Sequence, residues 1–213
     1  MSPRTPEVLN ETNRVEAFSD GVFAIAITLL ILEIKVPHEV EPGAMRAAVL
    51  HLWPSFLAFA TSFFTIGVMW MNHHRLFTLI GTTDQRLLVL NGLLLFGISF
   101  VPFPTAFLAE YIRHPDGWIP AAIYNATFVF MAIWFNLLWR YASKNRRLID
   151  DDVAEESLAA ITKQYRFGPI MYVIFLLAAS FQPIVTLLAH LAAAIFFAVP
   201  PRWFTNKRNA APR

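Results

Sequence analysis

The segment Asn13–Ile34, NRVEAFSDGVFAIAITLLILEI, places Arg14, Ser19 and Asp20 at the start of a long apolar run. A carboxylate beside an apolar helix is costly, although less so at a membrane surface than at the bilayer centre, where it costs about 2.5–3.5 kcal/mol. Two roles are open to it. The acid could bind a passing cation, or it could hydrogen-bond to neighbouring helices and clamp them together.

Polar partners for such a clamp occur in two later apolar segments. Under the topology derived below, His73, His74 and Asn91 lie at helix ends on the same side of the membrane as Asp20. Because interhelical hydrogen bonds in bilayers average about 0.6 kcal/mol each, several of them are needed to fix the orientation of one helix.

The pair His73-His74 also has the residue type that binds metal in membrane di-iron enzymes. Such sites need several histidine clusters, with acids to complete the ligand set. Here three of the other histidines fall on or near the outer side and His190 is alone in the last apolar segment. There is no cysteine, which excludes thiolate metal sites. We therefore expect no metal, no cofactor and no enzyme activity.

Composition indicates which elements position these side chains. Of 213 residues, 56% are hydrophobic and 15% charged, and the apolar residues form blocks long enough to cross a bilayer. The charge-free stretch 167–201 would be about 52 Å long as one helix, so Gln182-Pro183 is interpreted as a break. The sequence predicts an all-α integral membrane bundle in one domain, 1–213, with spans at 15–36, 47–71, 87–109, 118–139, 167–180 and 183–200.

The basic residues predict the orientation of the spans. With a cytoplasmic N-terminus, only Lys35, Arg46 and Arg113 of the 17 Lys and Arg residues lie outside, which is a strong positive-inside bias. We expect a multi-pass protein of the cell membrane with both termini in the cytoplasm. Topology and the lipid bilayer explain the basic residues better than nucleic acid does, so no nucleic-acid partner is expected.

Five acids cluster before the fifth span, in Asp150–Asp152 and at Glu155 and Glu156. They could form a cation site, or they could begin a solvated helix. Because acids are favoured at the positive end of the helix dipole, we interpret the cluster as a helix start.

The first span has two distinct faces when it is placed on a helix of about 100° per residue. Ile25, Thr28, Leu29 and Leu32 fall within roughly 100° of one another, whereas Asp20 points about 140° away from Ile25. The helix therefore carries an aliphatic stripe with one hydroxyl and a separate polar corner. On an arbitrary membrane helix, such a stripe more often faces lipid or the bundle core than a pore.

Several motifs resemble one family. RVEAFSD (residues 14–20) matches the R-x-x-x-F-S-D signature of the transmembrane protein 175 family, the endolysosomal potassium channels and their prokaryotic relatives. WMNHHRLF (Trp70–Phe77), DQRLLVLN (Asp84–Asn91) and FVPFPT (Phe100–Thr105) are similar to the second and third helices of prokaryotic members. The resemblance covers about residues 13–110.

The resemblance implies a homotetramer with six spans per subunit, whose first helices line a central pore that conducts potassium ions. It places the constriction at Ile25, Leu29 and Leu32, with Thr28 as a hydroxyl ring that adds to cation selection. Asp20 would orient the pore helix without touching the ion. The structural network that holds the pore helices would consist of Arg14, Phe18, Ser19, Asp20, Trp70, His73, His74, Asp84 and Asn91.

We therefore expect a leak-type potassium-selective channel. The chain has no T-V-G-Y-G sequence, so selection would come from an aliphatic constriction that gates by dewetting. A proton- or ion-coupled secondary transporter is the alternative. Transporters usually carry ionisable residues at mid-span and broken helices in both halves, whereas here the one central break is Gln182-Pro183.

Overall fold

The structure, a computed structural model, describes residues 11–178 and 182–198. These residues contain no β-sheet, only an isolated antiparallel bridge between Ile80 and Ile149, so the all-α expectation is confirmed. The predicted ends of the last two spans, at 180 and 200, lie outside the described residues. The helices are α1 Glu11–Leu29, α2 Met45–His51, α3 Trp53–Phe77, α4 Gln85–Phe100, α5 Pro102–Tyr111, α6 Trp118–Ser143, α7 Glu155–Ala178 and α8 Pro183–Ala198.

Among the residues that the structure describes, four helical stretches are long and apolar enough to cross a membrane: Thr12–Glu33, Met45–Phe77, Gln85–Tyr111 and Trp118–Arg146. The first joins α1 to a 3-10 turn at Leu30–Glu33. With α7 and α8, the described residues form a bundle of six helical stretches, and the four apolar stretches make the chain a multi-pass membrane protein.

Proline accounts for the break within the third stretch. Helix α4 ends at Phe100 and α5 restarts at Pro102, with Val101 between them. Because proline has no N–H and clashes with the preceding turn, Pro102 and Pro104 are tolerated in the first turn of α5 and not in the middle of one straight helix.

The helix α7 begins at Glu155, well before the predicted span at 167, and holds Glu155 and Glu156 in its first turn. This position is the helix start that the acidic cluster predicted, where the macrodipole favours negative charge. Pro169 lies inside α7. Because proline cannot donate to the carbonyl four residues earlier, the Tyr165 carbonyl loses its helical partner, and the Asn136 amide of α6 donates to it at 2.8 Å.

The bundle is built around α6, which packs against α4 and α7, while α1 lies against α3 and α4. One face of α1 is buried in these contacts. Ser19, Phe23, Ala26 and Leu30 are between 0% and 2% exposed, and their spacing of three to four residues is that of a single helix face. The structure therefore fixes which side of α1 the rest of the subunit covers.

Candidate functional site

The uncovered face of α1 carries the predicted constriction residues. Ile25, Leu29 and Leu32 are 61%, 41% and 62% exposed, and Thr28 is exposed between them. Leu32 lies in the 3-10 turn that follows Leu29. Since residues three apart eclipse one another in a 3-10 helix, this turn keeps Leu32 above Leu29 on the same side. The aliphatic stripe predicted from spacing is thus one continuous exposed surface in the single subunit.

Thr28 is the one hydroxyl of this surface, and its proton is used within the helix. Its Oγ1 donates to the carbonyls of Ala24 at 3.0 Å and Ile25 at 2.9 Å. A hydroxyl oxygen keeps acceptor lone pairs when its proton is donated elsewhere. The exposed Thr28 oxygen can therefore offer negative partial charge to a cation.

A buried chain of hydrogen bonds holds the opposite face of α1 to α3 and α4. His73 Nε2 donates to Asn91 Oδ1 at 2.9 Å, Asn91 Nδ2 donates to Ser19 Oγ at 2.9 Å, and Ser19 Oγ donates to the Val15 carbonyl at 2.7 Å. The direction at His73 follows from chemistry, because an amide oxygen only accepts. His73 lies between the rings of Phe23 and Phe77. We call Ser19, Asn91 and His73 the buried relay.

A second set of contacts joins α1 to α3 at the same end of the bundle. Trp70 Nε1 donates to Asp20 Oδ1 at 2.8 Å, and His74 Nδ1 pairs with Glu16 Oε1 at 2.6 Å. The rings of Trp70 and His74 stack on one another. Asp20 therefore faces α3 and not the exposed aliphatic stripe. We call these four residues the surface clamp.

Of the described residues, Glu16, Asp20 and His74 are those whose spacing could hold a metal ion, with ligand atoms within 4.8 Å of one another. Each of the three already has a partner within the surface clamp: Glu16 and His74 pair with each other, and Asp20 accepts from Trp70. These contacts account for the proximity of the three side chains without an ion.

The other predicted network residues lie elsewhere. Arg14 is exposed, and Phe18, 67% exposed, belongs to the same face as Ile25. Asp84 caps the start of α4, where its Oδ1 accepts from the Leu87 N–H at 2.9 Å. The structure thus unites six of the nine predicted residues, Ser19, Asp20, Trp70, His73, His74 and Asn91, at the α1–α3–α4 contact.

Asp84 also ties α4 to the end of α6. Its Oδ2 accepts from the Tyr141 hydroxyl at 2.6 Å and from Arg147 at 3.3 Å. Burial raises the pKa of Asp84, but the hydrogen bonds from Tyr141, Leu87 N–H and Arg147 outweigh it, so the pKa lies below its usual 3.8. The ionised carboxylate is the form that holds this corner together.

Two polar contacts, one in the site and one elsewhere in the bundle, were not predicted from the sequence. Glu16 is the partner of His74, and its position four residues before Asp20, on the same helix face, was the signal that could have found it. His190, expected to be alone, donates from Nε2 to Asn125 Oδ1 at 2.9 Å, and Asn125 Nδ2 donates to Thr186 Oγ1 at 3.3 Å. This second His–Asn–hydroxyl group joins α6 to α8 and does not involve α1.

Known proteins resemble the chain in sequence and in structure. A family model described as the endosomal/lysosomal potassium channel TMEM175 matches residues 14–102. A potassium channel of Chamaesiphon minutus is 54% identical over 167 residues, 78% of this chain and 82% of that protein. A potassium channel of Streptomyces collinus is 40% identical over 205 residues, 96% of this chain and 100% of that protein.

A solved structure gives the same result. The crystal structure of a lysosomal potassium-selective channel TMEM175 homologue from Chamaesiphon minutus matches with a TM-score of 0.81 and 49% identity, covering 88% of this chain and 96% of that one. High identity over nearly the whole length of these relatives, together with the R-x-x-x-F-S-D segment at residues 14–20, shows that the chain belongs to the TMEM175 family.

Proposed function

We propose that the chain is a leak-type, potassium-selective channel whose pore is lined by α1 from each subunit of a homotetramer. The observation that carries the proposal is the two-sidedness of α1. Ile25 and Leu32 are more than half exposed, while Phe23 and Leu30 on the other face are 1% and 0% exposed. A helix held in one rotation with an uncovered aliphatic face is suited to meet copies of itself around an axis.

The exposed face supplies three aliphatic rings in such an assembly. Ile25 and Leu29 are four residues apart in the α-helix, and Leu29 and Leu32 are three apart in the 3-10 turn, so the rings follow at intervals of about 6 Å. A ring narrower than a hydrated ion expels water and blocks conduction, and a wider, wetted state lets an ion pass partly dehydrated. Potassium sheds its water more easily than sodium, which favours potassium.

Thr28 adds a polar ring between Ile25 and Leu29. Its proton is donated to the backbone, so its oxygen can replace part of the hydration shell of a cation. The same hydroxyl offers no hydrogen-bond donor to an anion. The buried relay and the surface clamp set the rotation of α1 so that Thr28 faces the axis. Asp20, bonded to Trp70, acts through orientation and does not contact the ion.

The two relatives described above support the same function, since each is named a potassium channel. The chain belongs to a family of ion channels and is not an enzyme. From residue 21 to residue 32, α1 and the 3-10 turn carry no charged side chain, so this part of the exposed face holds no titratable group to couple one flux to another. This absence favours passive conduction over a proton- or ion-coupled transporter.

In this arrangement the chain forms one channel domain in the cell membrane, with both termini in the cytoplasm. The outside position of Lys35, Arg46 and Arg113 supports this orientation. Because the chain has no cysteine, a single cysteine introduced at Glu39 and labelled by an impermeant thiol reagent from outside intact cells checks it.

The test is the reversal potential of the reconstituted protein under opposed potassium and sodium gradients. Leu29→Ala and Leu32→Ala should raise conductance and bring the permeability ratio closer to one, because each removes an aliphatic ring. Thr28→Val keeps the shape but removes the oxygen, so selectivity should fall with little change in conductance. Leu188→Ala is the matched control, since Leu188 is a leucine of α8 that is 52% exposed.

Unchanged conductance and selectivity in both leucine variants would refute the pore assignment. Exchange that saturates and requires a counter-ion gradient would identify a transporter instead. The mass of the purified complex should correspond to four chains, and any other number would refute the tetramer.

A further inference from the structure

A cleft of about 630 Å³ opens between the end of α6 and the first turns of α7. It is separate from α1 and from the proposed pore. Three cationic side chains, Arg146, Lys163 and Arg166, line it together with the hydroxyl of Ser143 and the ring of Phe167. Glu155 is the one acid among the lining residues that the structure describes.

The three cations differ in what they already bind. The Arg146 guanidinium donates to the carbonyls of Asp150, Asp151 and Val153 and lies 3.9 Å from Glu155 Oε1. It is therefore a fixed positive charge that also shapes the loop before α7. Glu155 is 85% exposed at this distance, so water screens most of its negative charge and the cleft stays positive.

Lys163 and Arg166 are the cations of the cleft without an acidic partner among the described residues, although the Arg166 guanidinium lies 5.8 Å from the centroid of the Phe167 ring. They lie three residues apart on α7, both are exposed, and within the described ranges neither forms an ion pair. Residues three apart on a helix share a face. Two cationic donors thus point into the same cleft as Arg146, without a protein anion to neutralise them.

An exposed apolar stripe runs along α7 from the cleft. Phe167, Ile170, Ile174 and Leu177 are 50%, 56%, 57% and 68% exposed, and their spacing of three and four residues keeps them on one helix face. From Arg166 to Leu177 the helix rises about 16 Å, which is about half the thickness of a bilayer core of about 30 Å. The cationic cleft therefore lies at one end of an apolar track that is one leaflet long.

We infer that this cleft binds the phosphate headgroup of an anionic phospholipid, whose acyl chains lie along the α7 stripe. Lys163 and Arg166 contact the phosphate, and Arg146 adds fixed positive charge. The Ser143 hydroxyl donates a hydrogen bond to the headgroup. Basic pockets between membrane helices are the form that such sites take. The lipid is a better occupant than a free anion because the cleft continues into an apolar surface that only an acyl chain can use.

The test compares binding of short-chain phosphatidylglycerol, short-chain phosphatidylcholine and inorganic phosphate to the purified full chain in uncharged detergent, by the shift of the thermal unfolding midpoint. Phosphatidylglycerol should stabilise the protein in a saturable way, and the other two probes should have little effect. In Lys163→Gln/Arg166→Gln the apparent affinity should fall about 25-fold, since each cation near an anionic lipid contributes about fivefold. Arg46→Gln/Arg86→Gln removes two exposed positive charges elsewhere and should bind as the native chain does.

Three outcomes would overturn the inference. Equal stabilisation by phosphatidylcholine would show that the headgroup charge is not recognised. Equal stabilisation by inorganic phosphate would show an anion site without lipid specificity, and equal loss in the two double variants would show a general effect of net charge. If the Lys163/Arg166 double variant does not fold, the single variants replace it, and each should bind phosphatidylglycerol about fivefold more weakly than the native chain. A single variant that binds as tightly as the native chain also refutes the inference.

Discussion

Replacing Asn91 with leucine removes the central member of the buried relay without leaving a large cavity. Asn91 makes two interhelical bonds, one from His73 Nε2 and one to Ser19 Oγ, both 2.9 Å long. At about 0.6 kcal/mol each, their loss costs about 1.2 kcal/mol. The variant also leaves the His73 N–H buried without a partner, for about 1–3 kcal/mol more. Ser19 keeps its own bond to the Val15 carbonyl, so Asn91→Leu should lower the free energy of unfolding by about 2–4 kcal/mol.

The same change should alter conduction, because the relay helps to fix the rotation of α1. Without it, the polar contacts that still join α1 to α3 are those of the surface clamp, Trp70–Asp20 and His74–Glu16, beside the apolar packing of residues such as Phe23. A rotation of one residue, about 100°, moves Thr28 off the axis. We expect the potassium-to-sodium permeability ratio of Asn91→Leu to fall towards one, as measured from reversal potentials of the reconstituted protein.

The chain provides a chemically matched control. Asn125 is fully buried and accepts from His190 Nε2 at 2.9 Å, as Asn91 accepts from His73, but it lies between α6 and α8. Asn125→Leu should therefore destabilise the protein by a similar amount and keep the native permeability ratio. If Asn91→Leu retains native selectivity, or if Asn125→Leu loses selectivity to the same extent, the relay does not set the orientation of the pore helix.

Two further predictions concern contacts away from α1. Because the pKa of Asp84 is below 3.8 in the folded protein, its carboxylate stabilises the fold above pH 3.8, and this contribution is lost as the pH falls through the folded-state pKa. Asp84→Asn keeps the N-cap oxygen but not the charge. The thermal unfolding midpoint of the variant should therefore depend less on pH between pH 5 and 3 than that of the native chain. An unchanged pH dependence would contradict the stabilising role of the Asp84 carboxylate. Asn136→Leu should cost about 1–2 kcal/mol because it leaves the Tyr165 carbonyl unpaired. In a Pro169→Ala background the N–H of residue 169 again donates to that carbonyl, so the loss of stability caused by Asn136→Leu should fall below half. Equal losses in the two backgrounds would refute the idea that Asn136 replaces the hydrogen bond that Pro169 removes.

The features that could be predicted from the sequence are those set by local spacing. Apolar block lengths predicted the six helices, and a 100° step placed Ile25, Thr28, Leu29 and Leu32 on the face that the structure leaves exposed. The role of these residues in conduction stays a prediction, since exposure in one chain is the same for a lipid-facing and a pore-lining side chain.

The features that could not be predicted depend on distant parts of the chain. Asp84 pairs with Tyr141 and Arg147, which are on another helix end, and spacing along the chain does not determine which ends meet. Phe18 belongs to the signature by sequence but lies on the exposed face of α1, away from the residues that the motif unites. Apolar block length does not reveal the polar first turns of α7, which begin at Glu155, before the predicted span; the acidic cluster was the signal that indicated them.

The exposed apolar faces of α1 and α7 differ in their surroundings, and this difference supports different roles for them. The α7 stripe leads to a cationic cleft. Because lipid surrounds a membrane protein uniformly, a helix that faces lipid can rotate slightly without losing contacts. A helix that lines a symmetric pore cannot, because each ring needs the same side chain from every subunit. The α1 face contains a hydroxyl with a free oxygen, Thr28, and the opposite face is fixed through Ser19 and Asp20 to two different helices. Polar bonds that fix rotation as well as proximity are expected where rotation decides function, which supports the proposal that α1 lines the conduction path.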